Sequence, residues 1–139
     1  MPEPVRFVAD TSVTVSRLFF RNSVPALAFE HALLHATMIV STETLVELED
    51  VLSRSKFDTY LPLQKRMSFF HYLRRNSDFV ESVVPISACR DPKDDKFLAL
   101  AITGQAQFIL SGDQDLLSLH PFGGIDILTP RQYLDRQHV

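Results

Sequence analysis

Apolar and polar positions along this chain alternate between two periods. Val5-Arg6-Phe7-Val8-Ala9 is a short apolar run of strand length closed by Asp10, and beyond it apolar residues recur every three or four positions, as on one face of a helix. This pattern predicts helices over 13–21 and 25–35, divided by Asn22-Ser23-Val24-Pro25, where the proline suits a first helical turn. Thr37 to Val40 reads as a second strand. Ser41 and Thr42 are N-cap candidates for a helix over 42–54, with Leu45, Leu48 and Leu52 on one face. After a connector over 56–61, Leu63, Met67, Phe70 and Leu73 form one stripe of a helix over 62–76 whose other face carries Lys65, Arg66, Arg74 and Arg75. A third strand is expected over 79–86. Asp91-Pro92 then reads as an N-cap and first-turn proline opening a helix to about Gln105, followed by a strand over 107–111, a short helix over 115–119, a strand over 125–128 and a helix from Pro130.

Strands alternating with helices predict an α/β fold, with a mostly parallel sheet covered on both faces. At 139 residues, 45% hydrophobic and 22% charged, the chain has the size and make-up of a single domain over 1–139. The apolar runs fall far short of a membrane span, and Met1-Pro2-Glu3-Pro4 lacks the basic and apolar regions of a leader, so a soluble cytoplasmic protein with no membrane partner is expected. Cys89 is the one cysteine, which rules out an intrachain disulfide and a cysteine-rich zinc site. A formal charge of −3 neither favours nor disfavours a nucleic-acid partner, because it averages over local patches.

The chemistry lies in acids placed where strands end or helices begin: Asp10, Glu47, Asp94, and Asp113 with Asp115. In open α/β sheets that edge is where ligands bind. Two carboxylates about 4 Å apart repel by roughly 4 kcal/mol at an effective dielectric near 20, so a cluster needs protons or a cation. Oxygen-only donors suit Mg²⁺ or Mn²⁺. Each acid also has a plainer reading. Asp10 could cap a helix, Asp91 is assigned to capping, Asp94 suits a helix's first turn, Asp95 is expected at the surface, and periodicity does not choose between Glu47 and Glu49. Among the histidines only His31 and His35 have helical i,i+4 spacing, without the acidic motif of a zinc hydrolase. Ser12 and Ser111 read as groups that orient or cap rather than as nucleophiles, while Arg54, Lys56, Arg74 and Arg75 are candidates for substrate contact against a plain reading as solvated helix charges.

Taken together, Phe7-Val8-Ala9-Asp10-Thr11-Ser12, Leu45-Val46-Glu47-Leu48-Glu49 with the following Asp50 to Phe57, Asp91-Pro92-Lys93-Asp94-Asp95-Lys96-Phe97, and Ser111-Gly112-Asp113-Gln114-Asp115-Leu116-Leu117 resemble the four signatures of PIN-domain ribonucleases. The nearest likeness is to the bacterial, VapC-like branch of toxins from toxin–antitoxin systems. The resemblance implies a three-layer α/β/α PIN-like fold and a Mg²⁺- or Mn²⁺-dependent endoribonuclease. It also implies an RNA substrate, a cognate antitoxin protein and a homodimer. Carried over by position, it makes Asp10, Glu47, Asp94 and Asp113 the catalytic metal-binding acids, with Asp115 a frequent fifth, and it favours Glu47 over Glu49. The chain departs from the pattern at Ser12, where the family usually has asparagine; a hydroxyl replaces one hydrogen bond of an amide but not its donor–acceptor pair. Two rivals stand beside this reading. One is a weakly active or inactive PIN-like module that binds nucleic acid or regulates. The other is a phosphoacceptor receiver domain, which would want an Asp-x-Asp where this chain has Asp10-Thr11-Ser12.

Overall fold

The structure, a computed structural model, describes residues 4–81 and 84–137. Five parallel strands, β1 (Arg6–Ala9), β2 (Thr37–Val40), β3 (Asp78–Phe79), β4 (Phe108–Leu110) and β5 (Asp126–Leu128), form a sheet in the order β3-β2-β1-β4-β5. Alternation within each strand divides the core into two layers. Phe7, Ala9, Met38, Val40, Leu110 and Leu128 face α1 (Thr11–Phe19), α2 (Val24–His35), α3 (Thr42–Leu52), α4 (Leu63–Asn76) and α7 (Pro130–Gln137). The interleaved Val8, Ile39, Ile109 and Ile127 face α5 (Asp95–Thr103) and α6 (Gln114–Leu117). The outcome is the expected three-layer α/β/α arrangement.

Local signals start the helices as expected. Ser23 accepts from the Ala26 amide with Pro25 in the first turn of α2, and Ser41 and Thr44 form a reciprocal capping box on α3. Asp91 accepts from the Lys93 amide and opens a 3-10 turn, Pro92–Asp94, ahead of α5, so the single helix expected from Pro92 is two segments.

Two expectations are corrected. Where a strand over 79–86 was expected, β3 ends at Phe79, with one further bond from the Val80 amide to Val40; Ser82 and Val83 lie outside the described residues. Pro85 has no N–H for a ladder, and the chain turns instead onto α5, the Val84 amide bonding the Thr103 hydroxyl. Arg66, expected on the polar face of α4, is fully buried: Nη1 donates to the Leu52 and Arg54 carbonyls at 2.8 and 3.0 Å, Nε to Leu61 at 3.0 Å, and Nη2 pairs with Asp58. Its planar fork satisfies the carbonyls that the end of α3 and the following turn leave open.

Candidate active site at the sheet's switch point

From β1 the chain builds one half of the sheet through β2 and β3, then returns to add β4 and β5 on the other side, so the strand order reverses between β1 and β4. Loops leaving the carboxyl ends of two such strands diverge and leave a crevice. Asp10 follows β1 there, and Ser111, Gly112 and Asp113 follow β4. An open pocket of about 440 Å³ at this place is lined by Asp10, Thr11, Ser12, Glu47, Asp94, Phe97, Gly112 and Asp113.

Asp10 is buried, 5% exposed. Its Oδ1 accepts from the Val13 amide at 2.8 Å, capping α1, and its Oδ2 accepts from the Ser111 hydroxyl at 2.6 Å. Ser111 Oγ also accepts from the Asp113 amide at 3.0 Å, so one buried hydroxyl ties Asp10 to the β4 loop. Burial raises the Asp10 carboxyl above its ordinary value, against the opposing effect of Ser111 and the Val13 amide. Ser12, by contrast, is exposed at the pocket's rim.

Asp94 ends the 3-10 turn before α5, and its carboxyl is pushed up to about 6 by burial first and by the neighbouring Asp113 second. Oxygens of Asp94, Asp113 and Asp115 all lie within 4.8 Å of one another. Asp113 caps α6 by accepting from the Asp115 amide at 2.8 Å. Three carboxylates converging in this way, with no donor other than oxygen, suit a hard divalent cation. Glu47 lies across the pocket on α3, whereas Glu49, two residues further along the helix, is exposed and does not line it.

Sequence reasoning missed two residues here. Thr11 Oγ1 donates to Glu47 Oε2, and Lys96 Nζ pairs with Glu47 Oε1 at 2.9 Å. The readable signal was a lysine in the first turn of a helix, where the dipole disfavours a cation. Asp95, expected at the surface, anchors a loop: it accepts from the Ala88 and Cys89 amides at 3.0 and 2.7 Å, which hold its carboxyl below the ordinary range. Cys89 does not line the pocket, and burial and then Asp95 push its thiol up to about 12. Of the four cations proposed for substrate contact, none lines the pocket: Arg54 pairs with Asp50, Lys56 sits over Phe57, and Arg74 and Arg75 lie exposed in the last turn of α4. His31 and His35 stack on each other away from the acids, with His31 bonded to Tyr133; His138 lies outside the described residues.

A family model described as PIN domain matches residues 6–115. No curated protein shows a significant match to the chain. Among solved structures, the chain is similar to VapBC2 from Rickettsia felis bound to a DNA fragment from their promoter, at 12% identity and a TM-score of 0.61, covering 90% of this chain and 98% of that one. It is also similar to PAE2754 from Pyrobaculum aerophilum, at 15% identity and a TM-score of 0.62, covering 95% of this chain and 88% of that one. At these identities the likeness is one of fold.

Proposed function

The chain belongs to the PIN domain family, a family of nucleases, and from that premise we propose that it is a Mg²⁺- or Mn²⁺-dependent endoribonuclease acting as the toxin of a toxin–antitoxin pair. The observation that carries this reading is the gathering of Asp10, Glu47, Asp94 and Asp113 around one open pocket at the switch point of the sheet. Asp94 and Asp113, with Asp115 beside them, would hold the ion, and Asp10 faces the same pocket. When bound, the ion supplies Lewis acidity, making water a stronger nucleophile at neutral pH and compensating phosphate charge.

The chain's own residues supply orientation. Ser111 and the Val13 amide fix both oxygens of Asp10, and the capping bond from the Asp115 amide fixes Asp113, so the acids are held before substrate arrives. The raised Asp94 carboxyl must give up its proton for the ion to bind. The openness of the pocket to solvent suits a polymer that lies across it. A toxin role draws support from the fold shared with VapBC2, and it brings with it a cognate antitoxin partner and a homodimer as further proposals. The described residues act as a single catalytic domain on this reading, and among them no helix is long and apolar enough to cross a membrane.

The test is cleavage of a fluorescently labelled single-stranded RNA by purified protein. Cleavage is expected with Mn²⁺ or Mg²⁺, is abolished by a chelator, and is lost in Asp113→Asn. Equal cleavage in chelator would overturn the metal-dependent reading. Metal and RNA binding without turnover would favour the binding-module rival instead.

A further inference from the structure

The acids of the pocket differ in what compensates their charge. Asp94, Asp113 and Asp115 converge on one another within 4.8 Å, and among the described residues no lysine or arginine forms an ion pair with them. Glu47 instead has a partner on each oxygen. Its Oε1 faces the Lys96 ammonium at 2.9 Å, and its Oε2 accepts from Thr11 Oγ1.

Lys96 is not a surface lysine that happens to swing past. Its side chain is 12% exposed, its ammonium also donates to the Lys93 carbonyl in the turn that ends on Asp94, and it lies 5.2 Å from the centre of the Phe97 ring, which lines the pocket. A lysine carries three donors and no acceptor, and here a carboxylate and a carbonyl take two of them. It occupies the first turn of α5, where the helix dipole repels a cation and ordering a long side chain costs rotamer freedom. Of the groups that offset these penalties, Glu47 is the one that carries an opposite charge. A divalent ion ligated by Glu47 would have to sit against that ammonium, so cation and ammonium compete for one carboxylate.

We propose that Lys96 stands in for a second metal ion: the site takes one divalent cation at Asp94, Asp113 and Asp115, and the Lys96 ammonium, which reaches Glu47 from the adjoining groove, is the fixed second positive charge beside it. This rests on the metal-dependent nuclease reading. It makes Glu47 a positioning residue that acts through Lys96, not a ligand of the bound ion.

Metal stoichiometry, measured without RNA, decides it. Mn²⁺ is titrated into the metal-free full chain by calorimetry, with free Mn²⁺ followed in parallel by electron paramagnetic resonance. Wild type is expected to bind one ion per chain. Lys96→Met, checked for folding by circular dichroism, should bind two, and Lys96→Arg should remain at one. Glu47→Gln should change the affinity for the single ion less than threefold, whereas Asp94→Asn should weaken it at least tenfold. Two ions in wild type, one ion in a folded Lys96→Met, or a tenfold loss in Glu47→Gln would each overturn the Lys96 assignment and leave the metal reading intact. Should Lys96→Met fail to fold, the wild-type and Glu47→Gln measurements still decide. No binding by wild type at millimolar Mn²⁺ would overturn both readings.

Discussion

The residues of the pocket divide by what each would cost to lose. Asp94 and Asp113 raise each other's energy in the metal-free chain, so Asp94→Asn and Asp113→Asn should abolish cleavage while the melting temperature without metal holds or rises. A fall well beyond 10 °C in both would mark them as structural. Asp10→Asn is also expected to fold, because asparagine caps a helix as well as aspartate and its amide can donate to Ser111. Ser111 is different. It is fully buried between Asp10 and Asp113, so Ser111→Ala should cost about 1–3 kcal/mol in stability and roughly 10- to 100-fold in Mn²⁺ affinity by releasing the Asp113 amide that it holds. Ser12, where the family usually has asparagine, is exposed, and the orientation of Asp10 is already set by Ser111 and the Val13 amide. Ser12→Asn should therefore alter turnover less than threefold; a tenfold gain would show that the missing amide limits this enzyme.

At the level of elements, the periodic signals were legible and the exceptions have local causes. Caps at Ser41 and Asp91 could be read because each is a side chain bonding backbone within three residues. The length of β3 could not, because the apolar positions from Val80 to Ile86 suit a strand, whereas Val80 and Ile86 pack with the α5 side of the core and the Val84 amide bonds Thr103. The same limit hid Lys96 and Arg66, whose partners Glu47 and Leu52 lie on other elements. Arg66 yields a sharp expectation. Arg66→Met strips donors from the Leu52, Arg54 and Leu61 carbonyls together and should cost about 3 kcal/mol or more in urea unfolding. Arg66→Lys should recover only part, since an ammonium cannot match a planar fork. By contrast, replacing exposed Arg74 and Arg75 with alanine should stay within about 0.5 kcal/mol, and loss of RNA binding in that pair would support their proposed role in substrate contact.

For the molecule as a whole, stability without metal should respond to pH in a direction the acids determine. Asp94, at about 6 in the folded chain against an ordinary 3.8, binds more protons folded than unfolded between those values, and the buried Asp10 acts in the same sense. Stability from these groups is therefore present at low pH and lost as pH rises toward 6. His31 opposes them: burial and then His35 lower its value below the usual 6.5, so its contribution is lost as pH falls. Comparing melts with and without Mn²⁺ at each pH cancels His31 and isolates the acids, because it stacks on His35 away from the pocket. An ion at 100 times its dissociation constant stabilises by about 2.7 kcal/mol, on the order of 10 °C for a chain of this size. Since the ion must displace the Asp94 proton, that increment should fall to about half at pH 5 and approach its full value by pH 7.5. A gain in melting temperature that is flat across this range, or larger at pH 5, would mean that Mn²⁺ binds elsewhere than at Asp94 and Asp113.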